Sequence, residues 1–416
     1  MTGFSDDFFR TESVRLVAFL TSRYGLHRLQ FAEDVTQETL VRALQTWPYR
    51  GIPDRPGAWL TQTAKNLATD LLRREKRWRD KESGIASEHD RWLSKPIANG
   101  AEDETFTDDT LRMLFVCFHP QLSNEAQTAL ALRTLCGLSP FEIAAAFLTS
   151  EAAISKRLVR ARQRIRELAL PFAVPDNVEL PARLEGVLGT LYLLFSEGYK
   201  ASSGDSLVRV DLCQEAIRLA TLLAEHPVTC KPRTWALLAL MLLNAARLNS
   251  RTDETGHLLR LREQDRSSWD ADMIQRGIRC LAQSGQGNDV SVYHLKAGIA
   301  ACHCLSSDEA TTDWARILMF YDQLLSLADS PVVRLNRAVA LARIDGPQVA
   351  LEAIANLPLD SYYLLHAVTG TFEAELGNWP KALGHFRRAE QLAPSASEKE
   401  FLLCRINECE THGIGC

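Results

Sequence analysis

Two clusters of cations are the residues in this sequence best suited to chemistry, and that chemistry is the binding of a polyanion. One comprises Lys65, Arg73, Arg74, Lys76, Arg77, Arg79 and Lys81; the other comprises Lys156, Arg157, Arg160, Arg162, Arg164 and Arg166. Lys and Arg gathered on helices form a local positive field that scattered charges do not. The chain as a whole is not basic, because 47 Lys and Arg stand against 52 Asp and Glu, for a net charge of −5. Any polyanion is therefore met by the two patches. A charge run alone is as readily a solvated helix face, so the surroundings of each patch decide.

The second patch lies in LSPFEIAAAFLTSEAAISKRLVRARQRIREL (138–168), which reads as two helices joined by a short turn. Ser139-Pro140 is an N-cap followed by proline at the first helical position, and Ser150 caps the next helix after the turn Leu148-Thr149-Ser150. Ile143, Ala144 and Phe147 face inward from the first helix; Ala152-Ala153, Ile154, Leu158 and Ile165 form the buried stripe of the second. Glu151, Ser155, Lys156, Arg157, Arg160 and Arg164 are then exposed. In a helix-turn-helix, early residues of the second helix reach base edges while later cations hold phosphates. Short polar side chains followed by arginines suit that geometry; the bland alternative is a surface helix of a bundle.

The first patch follows a different pattern. Asp34, Gln37 and Glu38 fall within one helical turn, and Arg42 lies one turn further. Phe31, Val35, Leu40 and Leu44 can occupy the opposite side, leaving a polar, acidic face fit for a partner's charged helix. PYRGIPDRPG (48–57) has three prolines and two glycines and must be a stiff loop. In the helix after it, Asn66, Asp70, Arg73 and Arg74 are spaced to share a face.

The elements holding these residues are helical nearly throughout, since apolar residues recur at three- and four-residue spacing. The spacing predicts helices at about 6–24, ending in the cap Tyr24-Gly25, at 32–47, stopping at Trp47-Pro48, and from Pro56 to about Arg79. Polar residues at 82–106 break the periodicity and read as a linker. Further helices are expected at about 108–118, 123–136, 140–147 and 150–169, and PFAVP (171–175) closes that group. Helices with short connections then continue to about 410. The fold class is all-α, with domains at 1–81, 107–175 and 176–416.

The composition, 46% apolar and 24% charged, is that of a globular protein. MTGFSDDFFR lacks the apolar stretch of a signal peptide, and LEGVLGTLYLLF (184–195) is too short to span a membrane and carries Glu185. A cytoplasmic location with no membrane partner is expected. Ten cysteines then read as reduced thiols.

DVTQETLVRALQTW, PGAWLTQTAKNLATDLLRREKR and the helix-turn-helix segment, in that order, resemble regions 2.2, 2.3–2.4 and 4 of extracytoplasmic-function RNA polymerase sigma factors, group IV of the sigma-70 family. The resemblance covers roughly residues 5–172. LRMLFVCFHPQLSNEAQTALALR is similar to the subgroup in which a long repeat-containing extension follows, and LYLLFSEGY (191–199), TDWARI (312–317) and SPVVRLNRAVAL (330–341) look like that extension. The resemblance implies a chain that binds core polymerase, through its beta and beta-prime subunits, and directs initiation at promoter DNA. Asp34, Gln37, Glu38 and Arg42 would grip the clamp helices of the largest subunits. Asp54 and Arg55, in the 48–57 loop, would capture a flipped base of the −10 element. Asn66, Asp70, Arg73, Arg74, Lys76 and Arg77 would contact the −10 duplex edge and its phosphates. Ser155, Lys156, Arg157 and Arg160 would read the −35 element, with Arg164 on the same exposed face and guanine pairing open to Arg157 and Arg160.

In the extension, Gly370, Ala382, Phe386, Ala389 and Pro394 match the spacing of a tetratricopeptide repeat, and Ala338, Ala350, Ile354 and Leu357 repeat it 32 residues earlier. A TPR-like pair is thus expected at about 330–396, with EKEFLLCRINECE (398–410) as a capping helix. Such a solenoid fits a protein or peptide ligand, or support of the sigma module. Cys302-His303-Cys304 and the set Cys404, Cys409, His412 and Cys416 invite a metal, but buried thiols read better and no metal or cofactor is expected. The polar-aromatic set Glu197, Tyr199, Asp265, Trp269, Tyr293, His294, Asp313 and Trp314 reads as hydrogen bonding within the repeat core. No nucleophile elbow, P-loop or dinucleotide fingerprint is present, so an enzyme is not expected. The alternative is a helix-turn-helix regulator on a repeat scaffold that does not bind polymerase.

Overall fold

The computed structural model describes residues 6–82, 102–146, 149–176, 178–199, 210–251, 259–287, 289–394 and 396–413. The described residues form eighteen α-helices and no strand, as the all-α expectation requires. They fold as two compact units, Met1–Thr190 and Leu191–Cys416.

The first unit begins with α1 (Asp6–Tyr24), α2 (Leu29–Arg50) and α3 (Pro56–Glu82). They enclose a core of Leu16, Phe19, Leu20, Val35, Trp47, Leu60 and Leu67. α1 ends where its cap was expected. Gly25 takes φ +90° and its N–H returns 2.9 Å to the Thr21 carbonyl; a Cβ there would lie 2.8 Å from the His27 ring. The 3-10 turn Leu26–Arg28 then feeds α2.

α2 corrects the sequence reading at both ends. It starts at Leu29 and runs through Pro48 to Arg50, so the expected 48–57 loop contracts to residues 51–55. Proline is tolerated there because it falls in the last turn, where a missing N–H forfeits a single bond. The buried Trp47 also holds the backbone in place, stacked on Phe9 and edge-on to Trp59, each 5.6 Å away. Leu44, expected on the inward side, is half exposed. At ten residues past Asp34 it falls on the outer stripe, whereas Phe31 and Leu40 pack against the core.

α4 (Glu102–Cys117), α5 (Asn124–Thr134), α6 (Pro140–Ala146) and α7 (Glu151–Glu167) follow, then α8 (Leu180–Tyr199). Most of the 82–106 segment read as a linker lies outside the described residues, as do Phe147, Leu148 and the side chains of Arg79 and Lys81. The caps are those expected. Ser139 and Glu142 form a reciprocal capping box at α6, and Ser150 Oγ accepts from the Ala153 N–H at 3.2 Å.

The second unit continues with α9 (Val210–Glu225), α10 (Pro232–Ala245), α11 (Ala271–Ser284), α12 (Val292–Cys304) and α13 (Trp314–Leu327). α14 (Pro331–Asp345), α15 (Pro347–Ile354), α16 (Tyr363–Glu375), α17 (Trp379–Leu392) and α18 (Ala396–Gly413) complete it. From α12 onward each helix packs on the next. α10 is apolar on every side and buried along nearly its whole length. The small-residue positions lie buried at helix contacts. Ala338, Ala350 and Ile354 are buried between α14 and α15, and Ala382, Phe386 and Ala389 are buried in the group α16–α18. Leu402, Ile406 and Cys409 of α18 join the second group.

Three members of the polar-aromatic set of this unit cap helices, whereas Trp314 lines a cavity and the buried Tyr199 hydroxyl and Trp269 Nε1 have no hydrogen-bond partner among the described residues. Asp313 accepts from the Arg316 N–H to cap α13, Asp265 accepts from the Ser267 N–H, and His294 forms a capping box with Ser291. Nine cysteines are free thiols, of which Cys302 and Cys409 are buried and Cys404 is exposed; His412 stacks on Trp379 at 4.4 Å, and Cys416 lies outside the described residues. No described helix is long and apolar enough to cross a membrane.

Candidate nucleic-acid interface

α7 presents three faces. Ile154, Leu158, Ala161 and Ile165 are buried against α5 and α6, so the 3.6-residue period fixes which side points out. Ala152, expected in that stripe, is exposed, because it precedes Ile154 by two residues and lies across the helix. The second face carries the expected DNA-reading residues. Lys156, Arg160 and Arg164 are exposed, and Ser155 and Arg157 are half-buried. With Gln121, Ser123 and Glu125 these cations line a groove of about 440 Å3. Arg157 is paired there with the Glu125 carboxylate at 2.8 Å. Glu125 is largely exposed, so the pair is worth at most about 1 kcal/mol and yields readily to a phosphate or a guanine edge.

The third face was not anticipated. Arg162 donates to Glu33 of α2; the Glu33 side chain is buried and that of Arg162 largely so, at 14% exposed. The bond uses Nη2 and Oε2 alone and leaves Arg162 Nε and Glu33 Oε1 buried without a hydrogen-bond partner among the described residues. Burial pushes the Glu33 carboxyl above its ordinary range, with Arg162 and Arg133 pulling against that shift. Ser22 Oγ donates to Asp109 Oδ2 at 2.7 Å, and Arg10 lies 3.6 Å from Glu142. The helices α4–α7 are thus docked on α1 and α2 by the packing of α1 on α4 and by these polar links.

On α2, Asp34, Gln37, Glu38 and Arg42 are all exposed and share one face, with an Arg42–Glu38 bond of 3.1 Å along it. Val41 and Leu44 are 44% and 50% exposed on the same stripe, which makes the face amphipathic rather than purely acidic. On α3, Asn66, Asp70, Arg73, Arg74, Lys76 and Arg77 are all exposed. Asn66, Asp70, Arg73 and Arg77 follow one another at four- and three-residue steps and so form a ridge along the helix. Asp54 and Arg55 are exposed in the loop, and the Arg55 carbonyl starts α3 by accepting from the Trp59 N–H. Sequence reasoning missed Tyr49, 89% exposed, and Ile52, 44% exposed, beside them. An aromatic residue next to Pro-Gly punctuation was the available signal.

Models of sigma-70 region 2 and of sigma-70 region 4 match residues 9–78 and 112–165, which are the α1–α3 and α4–α7 groups. The chain belongs to the sigma-70 family. As a sigma factor it serves transcription initiation, and its partners are the RNA polymerase core and promoter DNA. A family of unknown function (DUF6596) matches residues 183–285. An uncharacterized protein of Rhizobium meliloti (strain 1021) is 38% identical to this sigma factor over 387 residues, 91% of this chain and 90% of the relative. No solved structure matches the chain.

Proposed function

We propose that this sigma factor acts by binding alone, with a division of labour along the helices of its first unit. The exposed α2 face of Asp34, Gln37, Glu38 and Arg42, with Val41 and Leu44 among them, grips the clamp helices of the largest polymerase subunits. The loop at 51–55 captures a base of the −10 element, with Asp54 and Arg55 as polar contacts and Tyr49 as a stacking surface. The α3 ridge of Asn66, Asp70, Arg73, Arg74, Lys76 and Arg77 holds the −10 duplex edge. Ser155, Lys156, Arg157, Arg160 and Arg164 of α7 read the −35 element. One observation carries this reading: every core-binding and DNA-binding position named from the sequence keeps at least part of its side chain at the surface, while Val35, Leu67, Ile154 and Leu158 between them are buried. The linker between the two groups, the start of the extension near residue 176, and its TPR-like character in α14–α17 belong to the same proposal. The extension regulates or supports the sigma module, which works in the cytoplasm beside its polymerase.

In reconstituted transcription with sigma-free core polymerase, Arg157→Ala/Arg160→Ala is expected to reduce −35-dependent initiation about 30-fold or more, at ~1–3 kcal/mol for each of the two bidentate base contacts removed. Co-elution of that variant with core should be unchanged. Glu38→Ala should do the reverse, weakening co-elution. Wild-type chain that binds promoter duplex tightly by itself and never co-elutes with core marks a regulator that does not bind polymerase, and the proposal then fails.

A further inference from the structure

The second unit contains a cavity formed by none of the residues proposed to bind polymerase or DNA. It has a volume of about 260 Å3, room for roughly nine waters at ~30 Å3 each. Four arginines line it, Arg260, Arg262, Arg266 and Arg343, against a single carboxylate, Glu309. Arg260 and Arg343 are already matched, the first by Glu263 and the second by Glu309 and Glu375. Arg266 has neutral partners, donating to the carbonyls of His303 and Ser306 and to the Thr312 hydroxyl. Arg262 and Asn336 make no side-chain hydrogen bond or ion pair with the described residues.

Trp314, Ile317, Val339, Ala340 and Tyr321 add apolar and aromatic surface to the lining. Burial pushes the Tyr321 phenol up to about 12, so it stays a neutral donor. Burial, followed by the positive charges of Arg247 and Arg266, lowers His303 to about 3 and keeps its ring neutral. The buried His303 Nδ1 has no hydrogen-bond partner among the described residues. Guanidinium and amide donors without a hydrogen-bond partner, in a cavity also lined by apolar and aromatic side chains, suit a ligand with an anionic head and an apolar body. Arginine's planar fork selects a carboxylate in two-point contact.

We propose that this cavity binds a carboxylate carried on a small apolar or aromatic body, with Arg262 and Asn336 as its free donors and Trp314 against the body. Two sources share that chemistry, a free organic acid and the C-terminal carboxylate of a peptide ending in an aromatic residue. The proposal does not rest on the promoter reading, because the measurement is binding to the full chain without polymerase or DNA. Calorimetric titration of the full chain with phenylacetate is expected to show one site, weakened by added salt. Benzyl alcohol, which lacks the charge, should not bind. Arg262→Gln should cost about tenfold or more in affinity, as expected for a charge-assisted bond. Asn336→Ala is a second surface substitution that leaves the helices intact and should weaken binding as well. A short peptide ending in phenylalanine, offered as free acid and as C-terminal amide, separates the sources. Tighter binding of the free-acid peptide than of phenylacetate assigns a peptide ligand, and the reverse order assigns a small acid. The proposal is overturned if wild-type chain binds neither acid, if benzyl alcohol binds equally well, or if Arg262→Gln binds as wild type does.

Discussion

Arg162→Ala is expected to destabilise the first unit by about 3–5 kcal/mol, far more than any other single change on α7's charged surface. The reason is asymmetry. Glu33 has lost its water, and removing Arg162 leaves that carboxylate buried and unpaired. Arg164→Ala, two residues away on an exposed pair, should cost no more than about 1 kcal/mol. Urea unfolding followed by the fluorescence of Trp47 and Trp59, which touch in the α1–α3 core, measures the difference. Glu33→Leu/Arg162→Leu should recover most of the loss, since an apolar pair of similar volume removes both desolvated charges. Equal midpoints for Arg162→Ala and Arg164→Ala would show that the link carries no docking energy.

That link also bears on the proposed promoter reading. The −10 and −35 elements are nominally 25 base pairs apart, roughly 85 Å at ~3.4 Å per pair. A compact unit of this length has a radius of gyration of roughly 16 Å and cannot span that distance. Reading both elements together therefore requires α4–α7 to leave α1 and α2. A single-pronged bond with buried unsatisfied atoms on each side is a contact suited to release. On that account Arg162→Ala should retain promoter-directed initiation at temperatures where it stays folded, although its resting state is weaker.

The helices were legible because their signals are local. Gly25 at a helix end and the N-caps Ser139 and Ser150 each act over three or four residues, and each works as its spacing indicates. Pro48 was misleading because the anchor that keeps α2 helical past it, Trp47 packed on Phe9 and Trp59, is tertiary. Leu44 was assigned to the wrong side for want of the true helix phase. The candidate interface was legible in residue type, since alternation of charge and apolar stripe marks an exposed face. Its partnerships were not. Arg162 looks like any other cation of its patch, and Glu33, 129 residues away, carries no local mark of being its mate. Arg262 gave no signal at all, because most of its neighbours in the cavity come from distant segments, α12 to α14 and α16.

Phe386→Ala is expected to cost the second unit about 3–5 kcal/mol, because Phe386 is 1% exposed and fills the space between α16 and α17. The companion position is Gly370. A Cβ there would meet the Phe386 ring at 3.0 Å and the Ala382 carbonyl oxygen at 3.2 Å, so the helices approach this closely only over a glycine. Gly370→Ala should therefore overpack the contact and cost about 1–3 kcal/mol by itself. Once Phe386 is truncated, the added methyl enters part of the space the ring has left. The double variant should lose at least 0.5 kcal/mol less than the sum of the single losses, the sign expected of two residues sharing one cavity. Denaturant midpoints of the three variants decide it, and strict additivity would mean that Gly370 and Phe386 do not set the α16–α17 spacing together. α17 also carries α18 on its other side, through Leu402 and Ile406. Loosening one contact should therefore speed hydrogen exchange in α18 as well as in α16, as expected when helices stack on a shared core rather than fold one by one.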